Sequence, residues 1–284
     1  DMSFILAAAL CSVCVSILIK IAKQKGYQSL EMITWNYLSA SVLCGLWFEP
    51  QFSQLSWATP WWLIVSLGFL LPSIFLCLAH ALNQAGILKT EIAQRLSVVL
   101  SLTAAYFIFN ESFNALKLLG IGLGVVAIGL ILYSHQKDQA SKNQGLLYLA
   151  LVWGGYALID VLLKYSTGLG LQFALTLNLI FVFAFVVSLG FIRCRYATWG
   201  SAKNIWAGLG LGVLNFANIA LYLQAHKLLK DSPAVVFAGM NILVVVLGII
   251  AGVAIFKEQL KPSSVLGLSL ALISVFCLAF AMSS

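Results

Sequence analysis

The sequence predicts an all-α membrane protein of ten transmembrane helices, arranged as two five-helix repeats of inverted topology. Its composition is 62% hydrophobic and only 9% charged, whereas a soluble globular domain carries about 25% charged residues. Such a chain cannot cover a surface that faces water. Two further observations support the prediction: apolar runs of membrane-spanning length follow one another along the chain, and a block of the first half recurs in the second.

A spanning helix needs about 20 mostly apolar residues, and by this criterion the chain has ten spans. Between them lie breakers such as Gly26, Gly86, Asn110, Pro233 and Pro262. The two prolines stand where a first helical turn accepts proline. The predicted spans are 3–22, 29–48, 61–82, 87–109, 113–134, 145–166, 170–191, 204–226, 232–256 and 262–282.

The recurring block is Leu96–Glu111, which aligns without a gap on Leu243–Glu258 when the numbering is shifted by 147. Self-similarity of this kind indicates an internal duplication. The matching pairs are Leu96/Leu243, Val98/Val245, Val99/Val246, Leu100/Leu247, Ala104/Ala251, Ile108/Ile255, Phe109/Phe256 and Glu111/Glu258.

The polar run 135–144 separates the halves, so we assign residues 1–138 to an N-terminal five-helix repeat and residues 139–284 to a C-terminal one. Five is an odd number, so the second repeat must enter the membrane from the opposite face. Inverted repeats are typical of transporters whose substrate site lies near mid-membrane between the halves.

The distribution of Lys and Arg predicts the orientation. Eleven lie in loops reached after odd-numbered spans and four on the other side, so the positive-inside rule places both termini outside the cytoplasm. The first group is Lys20, Lys23, Lys25, Lys89, Lys137, Lys142, Arg193, Arg195, Lys203, Lys257 and Lys261; the second is Lys117, Lys164, Lys227 and Lys230. We expect a multi-pass protein of the bacterial inner membrane.

Charged residues within spans are expensive in the membrane and therefore candidates for function. Glu91 and Arg95 stand four residues apart, on one face of the fourth span. Arg95 offers a rigid fork of donors for a carboxylate or phosphate, and Glu91 can face an ammonium group or take a proton. The alternative is a pair that only neutralises itself near the start of the helix.

Amide and aromatic side chains extend this candidate site. Gln94 corresponds to Asn241 under the repeat, and two amides at equivalent positions favour a shared cavity over lipid. Asp160 lies one turn before Lys164 in the sixth span, after Trp153 and Tyr156, either as a structural pair or as part of the site. The eighth span carries a polar stripe that either lines the cavity or joins helices by hydrogen bonds: Asn215, Asn218 and Tyr222.

Some polar residues favour structural roles. Glu111 and Glu258 stand at span ends, where a carboxylate can cap exposed helical amides. The glycine pairs Gly120/Gly124, Gly208/Gly212 and Gly248/Gly252 let helices approach closely.

The sequence favours no enzymatic or nucleic-acid function. It contains no phosphate-binding loop, no His/Cys metal spacing and no nucleophile with a recognisable base. We therefore predict no catalytic residues, no metal and no cofactor. The basic residues lie in short loops, without a basic stripe interleaved with aromatics, so nucleic acid is not an expected partner.

These features resemble the EamA branch of the drug/metabolite transporter superfamily. The resemblance rests on ten spans in two halves, each with Phe-x-Glu before a glycine-rich helix: Phe109-Asn110-Glu111 and Phe256-Lys257-Glu258. It implies a ten-helix bundle around a central cavity. The chain departs from the family at Cys11, where the first span is expected to carry tryptophan, and in its predicted orientation, because family members usually have cytoplasmic termini.

We therefore expect a secondary transporter that exports or exchanges a small polar metabolite, an amino acid or similar zwitterion, by alternating access. Protons are a candidate coupling ion, and a functional monomer is expected because two inverted halves complete one pathway. An exporter of hydrophobic cations is the alternative, although Arg95 argues against it. A carrier of phosphorylated compounds would need more basic charge within the spans. A membrane enzyme or a non-transporting subunit is the alternative from another class.

Overall fold

The computed structural model describes residues 2–138 and 143–283, and within them the regular secondary structure is helical throughout. The prediction of an all-α fold is confirmed. The described residues form eleven α-helices, in chain order: α1 (Met2–Gln24), α2 (Ser29–Phe48), α3 (Trp61–Ala85), α4 (Ile87–Arg95), α5 (Ser97–Phe109), α6 (Ala115–Asp138), α7 (Asn143–Gly168), α8 (Phe173–Tyr196), α9 (Ala202–Leu228), α10 (Pro233–Ile250) and α11 (Pro262–Ser283).

Nine helical segments of the described chain are long and apolar enough to cross a membrane. They correspond to nine of the ten predicted spans, with α4 and α5 together forming the fourth and α10 with the turn that follows it forming the ninth. The second predicted span is the helix α2, which covers the predicted residues but falls outside that apolar set.

Breakers in the sequence account for most helix ends. Gly26 and Gly86 adopt φ values of 81° and 94°, which residues other than glycine rarely adopt. Pro233 occupies the first turn of α10, and Pro262 begins α11. Proline has no backbone N–H, and in the first turn of a helix that N–H would have no partner within the helix, so proline is accepted there.

The chain forms two compact units. Unit 1 comprises residues 1–17, 77–157 and 217–284, and unit 2 comprises residues 18–76 and 158–216. The helices α1, α3, α7 and α9 contribute one part to each unit. The predicted boundary between the sequence repeats, at residues 138/139, lies at the edge of the undescribed residues 139–142, and the assignment of the two repeats stays a prediction.

Within unit 1, the fifth and tenth predicted spans pack together as α6 and α11. The Oγ atoms of Ser134 and Ser264 are 2.8 Å apart, and Ser274 donates a hydrogen bond to the carbonyl of Gly120 at 2.5 Å. The end of α6 therefore contacts the start of α11, and the start of α6 contacts the middle of α11, so the two helices are antiparallel. This is the relation that inverted topology requires for equivalent helices.

Within unit 2, the second and seventh predicted spans pack together as α2 and α8. Asn178 donates a hydrogen bond to the carbonyl of Ser41 at 2.9 Å, and the rings of Trp35 and Phe185 lie 5.4 Å apart in an edge-to-face arrangement. These helices are antiparallel too. Equivalent helices of the two sequence halves thus pair within each unit.

Close helix contacts occur at the predicted glycine pairs. A methyl group on Gly208 of α9 would lie 2.5 Å from the carbonyl oxygen of Met32 in α2. Gly212, one turn later on α9, faces the backbone of Asn36, which also belongs to α2. Small residues at this spacing let the backbones of α2 and α9 approach each other, which confirms the interpretation of these glycines.

Glu258 caps the helix α4, from 170 residues away in the sequence. Its Oε1 accepts the N–H of Ile87 at 2.7 Å and its Oε2 accepts the N–H of Leu88 at 3.3 Å. Gly86 and Gly252 make room for the carboxylate, since a methyl group on either would lie 2.7 Å from one of its oxygens. The capping role predicted for this glutamate is confirmed, at α4 of the other sequence half rather than at the following helix.

The end of the ninth span places this carboxylate. After α10 the chain forms one wide π-turn, Ala251–Ile255, and Lys257 then adopts a φ of 54°. The N–H of Glu258 returns to the carbonyl of Gly252 at 2.8 Å. Asn110, the repeat equivalent of Lys257, has a φ of 53°, so both copies of the motif end their helix in the same way.

Gly208→Ala should destabilise the protein, by about 1–3 kcal/mol, because the new methyl group forces α2 and α9 apart. The measurement is the thermal unfolding midpoint of the purified protein. Gly210→Ala is the matched control, since a methyl group at Gly210 has no heavy atom within 4 Å. It should be neutral or slightly stabilising. Equal midpoints for the two variants would contradict the close contact.

Glu258→Gln should lower stability by about 1 kcal/mol, since loss of a helix cap costs roughly 0.5–2 kcal/mol. The glutamine keeps one oxygen but presents its amide N–H groups to a backbone N–H. Glu49→Gln is the control, because Glu49 is an exposed carboxylate that follows α2. If both variants unfold at the wild-type temperature, Glu258 does not stabilise α4.

Candidate functional site

Glu91 is a buried carboxyl group of unit 1, with only 1% of its surface exposed. It lies on α4, and its Oε1 accepts a hydrogen bond from the Oγ of Ser16 on α1. Its side chain passes Gly248 of α10, where a methyl group would lie 3.2 Å from its Cγ. A larger residue at Gly248 would therefore press on the carboxyl side chain.

Arg95 stands one helical turn after Glu91 and is half-buried. Its Nη2 donates a hydrogen bond to the Oγ of Ser12 at 3.0 Å. Ser12 and Ser16 are themselves one turn apart on α1, so two serines of one helix hold the two opposite charges of another. The sequence analysis did not identify these serines, although their i, i+4 spacing in an apolar span is a usable signal.

Each member of the charged pair keeps one polar atom without a partner. Within the described residues, Oε2 of Glu91 and Nε of Arg95 are buried and make no hydrogen bond. Buried polar atoms are nearly always hydrogen-bonded, and leaving one unsatisfied costs about 1–3 kcal/mol. The pair thus retains one acceptor and one donor that make no hydrogen bond within the described residues.

The helix breaks directly after this pair. The sequence analysis expected one continuous helix over 87–109, but α4 ends at Arg95 and α5 begins at Ser97. The Oγ of Ser97 donates to the carbonyl of Gln94 at 2.6 Å, and the indole N–H of Trp153 donates to the carbonyl of Leu96 at 3.0 Å. Backbone N–H groups reach the same two carbonyls, that of Leu96 reaching Gln94 and that of Val99 reaching Leu96. The polar groups at the break are therefore satisfied, which makes it compatible with a span.

Two predicted amides also lie in unit 1. Gln94 is half-buried beside Arg95 on α4, and Asn241 is 7% exposed on α10. The Nδ2 of Asn241 donates to the carbonyl of Phe237 in its own helix at 2.8 Å. Asn241 stands seven residues before Gly248, so both lie on one face of α10, and α10 packs against α4.

The other predicted residues of unit 1 are half-buried: Tyr156, Asn218 and Tyr222. Within the described part of the chain, Oδ1 of Asn218 is buried without a hydrogen-bond partner. Tyr222 meets His226 edge to face, with their rings 4.6 Å apart. Asn218 and Tyr222 therefore share one face of α9.

Asp160 and Asn215 belong to unit 2. Asp160 is exposed on α7. Asn215 donates from Nδ2 to Oδ1 of the buried Asn36 at 3.2 Å, which supports the alternative of an interhelical hydrogen bond for this residue. Of the ten predicted site residues, the structure thus brings Glu91, Arg95 and Trp153 together around one helix break.

A metal ion would need several His, Cys, Asp or Glu side chains close together. Across residues 2–138 and 143–283, no group of three or more His, Cys, Asp or Glu side chains stands close enough to hold a metal ion.

Comparison with known proteins places the chain among transporters. Residues 2–133 match the sequence profile described as the EamA-like transporter family. A Haemophilus influenzae protein of uncharacterised function is 36% identical over 282 residues, which cover 96% of each chain. An uncharacterised transporter of Synechocystis sp. is 24% identical over 131 residues, which cover 42% of this chain and 38% of the relative.

Trp153→Phe should lower stability by about 0.5–1.5 kcal/mol, because it removes the hydrogen bond to the carbonyl of Leu96 and keeps most of the ring. Trp206→Phe is the matched control, since Trp206 is 73% exposed. Thermal unfolding of both variants in one detergent compares them directly. A midpoint of Trp153→Phe at or above that of Trp206→Phe would show that the indole does not support the helix break.

Proposed function

The chain belongs to the EamA-like transporter family, and on this premise we propose that it carries an amino acid or similar zwitterion across the bacterial inner membrane. The movement is export or exchange by alternating access. The observation that supports this proposal is the charged pair on α4, in which Glu91 and Arg95 each keep one buried polar atom without a partner.

A zwitterion matches this pair in charge and in hydrogen-bonding capacity. In the proposal, the guanidinium of Arg95 binds the carboxylate of the substrate, because its planar donors fit two carboxylate oxygens. Glu91 binds the ammonium group, and the hydroxyl groups of Ser12 and Ser16 hold the two side chains in place. The amides Gln94 and Asn241 would contribute to binding the remainder of the substrate.

The broken helix supports the same proposal. Many transporters bind their substrate beside an interruption in a helix near mid-membrane. Here the break at Leu96 follows Arg95 directly. Trp153, which donates to the carbonyl of Leu96, would then be a positioning residue rather than a direct ligand.

The two other transporter hypotheses fit this pair less well. A hydrophobic cation would be attracted by Glu91 but repelled by Arg95. A phosphorylated compound would need a second cation beside Arg95, and the residues in contact with the pair are the neutral Ser12 and Ser16.

The test is a thermal-shift screen of the purified protein against amino acids, lipophilic cations and phosphorylated metabolites, followed by uptake into proteoliposomes. A ligand that binds the folded state raises the unfolding midpoint. We expect one class of amino acids to raise it and to be transported. Arg95→Ala should weaken this binding about 10- to 100-fold, since a hydrogen bond to a charged group contributes roughly 1.5–3 kcal/mol.

The matched control is Arg195→Ala, which removes an exposed arginine at the end of α8 and should leave binding and uptake unchanged. Normal amino-acid uptake by Arg95→Ala would contradict the assignment. A shift with lipophilic cations alone, kept in Arg95→Ala, would favour a cation exporter and leave Arg95 a structural residue.

Proton coupling is tested in the same proteoliposomes. If Glu91 exchanges a proton during transport, wild-type uptake should respond to an imposed pH gradient, and Glu91→Gln should lose that response as well as part of its substrate affinity. If the wild-type protein shows no such response, Glu91 serves only the substrate ammonium.

A further inference from the structure

A basic and aromatic surface lies in unit 2, where the end of α8 and the start of α9 adjoin the turn between α1 and α2. Two stretches of the sequence form it, residues 22–31 and 191–206. The N–H of Gln28 donates to Oδ1 of Asn204 at 3.1 Å, and Nζ of Lys203 lies 4.7 Å from the centre of the Tyr27 ring. Residues 176 positions apart in the sequence thus share one surface.

The charges of this surface are strongly unbalanced. Its two stretches carry one carboxylate, Glu31, and five cations. All five cations are exposed: Lys23, Lys25, Arg193, Arg195 and Lys203. Glu31 accepts hydrogen bonds from the N–H of Ser201 and the Nδ2 of Asn204, so this carboxylate serves the contact between α2 and the start of α9. Five cations minus one carboxylate leave an excess of four positive charges.

The turn between α8 and α9 is held against α2. The indole N–H of Trp35 on α2 donates to the carbonyl of Trp199 at 2.9 Å. Gly200 then turns the chain with a φ of 107° beside the same indole, and Asn204 is only 2% exposed. Because these contacts already order the backbone, binding of a ligand does not have to pay for ordering the turn.

An aromatic ring lies beside one of the cations. Cζ of Arg193 is 5.2 Å from the centre of the Trp199 ring. A guanidinium over a ring is attracted to it, and its planar fork of N–H donors fits phosphate oxygens. Trp199 is 56% exposed and Trp206, in the first turns of α9, is 73% exposed. Tryptophans at the ends of spans are typical of the headgroup level of a membrane.

The exposed rings favour a lipid over a soluble anion. The five cations belong to the Lys- and Arg-rich side of the chain, which the positive-inside rule assigns to the cytoplasm. The cytoplasmic leaflet has a negative surface potential, and clusters of Lys and Arg next to a span attract its anionic headgroups. A lipid offers an apolar part to the rings and a phosphate to the cations, whereas a small soluble anion offers only the charge.

We propose that this surface binds the headgroup of an anionic phospholipid, with Arg193 and Lys203 on its phosphate and Trp199 beside its glycerol and acyl groups. The lysines Lys23 and Lys25 add to the attraction. The surface belongs to unit 2 and the charged pair of α4 to unit 1, so the proposal does not depend on which substrate that pair binds.

The experiment compares Arg193→Gln/Lys203→Gln with Lys227→Gln/Lys230→Gln and the wild-type protein. Both double variants remove two exposed positive charges. The first changes the proposed surface, and the second changes the last turn of α9 and the residues after it. Each protein is purified in a neutral detergent and titrated with phosphatidylglycerol or phosphatidylcholine, with and without inorganic phosphate. Native mass spectrometry measures the bound lipid.

The wild-type protein and Lys227→Gln/Lys230→Gln should bind phosphatidylglycerol about tenfold more tightly than phosphatidylcholine. Arg193→Gln/Lys203→Gln should bind phosphatidylglycerol about tenfold less tightly than the wild-type protein, since each basic residue at an anionic membrane surface contributes to binding. Equal binding by the two double variants, or no preference for phosphatidylglycerol in the wild-type protein, would overturn the proposal. Displacement of the lipid by an equal concentration of inorganic phosphate would overturn it too, because a soluble anion would then be the better occupant.

Two further variants separate the loss of charge from misfolding. Arg193→Lys/Lys203→Arg keeps both charges and should keep binding within about threefold of the wild-type protein. Trp199→Leu keeps every charge but removes the ring beside Arg193, and it should weaken binding about threefold. If the charge-keeping variant binds as weakly as the glutamine variant, the cations do not hold the headgroup. Full binding by Trp199→Leu would contradict the place of the ring in the site.

Discussion

The carboxylate of Glu258 on the first amides of α4 is the contact on which the charged pair depends. It joins two segments that are 171 and 170 residues apart in the sequence, through hydrogen bonds of 2.7 and 3.3 Å from the N–H groups of Ile87 and Leu88. A nine-residue helix has little stability of its own. The cap supplies part of that stability. It also fixes the start of α4, and with it the positions of Glu91 and Arg95 along that helix.

The cost of burying charge explains the surroundings of Glu91. An ionised carboxylate inside a membrane span is stable only when it is paired and hydrogen-bonded. Arg95 on the next turn supplies the opposite charge, and Ser16 supplies a hydrogen bond. Gly248 lets α10 pass close to the carboxyl side chain, and because this packing excludes water, the carboxyl group depends on its polar partners.

The break at Leu96 and the turn after α10 are two local departures from a regular helix, and both lie next to residues of the candidate site or its helix cap. At the first, the carbonyl of Leu96 accepts the indole N–H of Trp153 at 3.0 Å in addition to the N–H of Val99 at 3.1 Å. The second, the π-turn Ala251–Ile255, redirects the chain so that Glu258 reaches α4. Departures of this kind are common at functional sites. In this protein they lie at the two ends of α4, and together they define the segment that carries the charged pair.

The sequence by itself determined the fold class, the bounds of most helices and the duplication, because these follow from local properties. Apolar length, Gly and Pro breakers and the repeat of Phe-x-Glu are all visible along the chain. The charged pair Glu91 and Arg95 was visible for the same reason, since four-residue spacing on one helix needs no tertiary information.

Only the tertiary structure decided which residues meet these charges. Ser12 and Ser16 lie about 75–83 residues away from their partners, and an apolar span with two serines does not say which helix they face. The break at Leu96 was missed because its stabilising donor, Trp153, lies 57 residues later. For Asn215 the sequence left open a cavity-lining role and an interhelical hydrogen bond, and the structure shows the bond, to Asn36, 179 residues away. Hydrogen bonds between helices depend on packing and direction, and neither is encoded in the spacing along one segment.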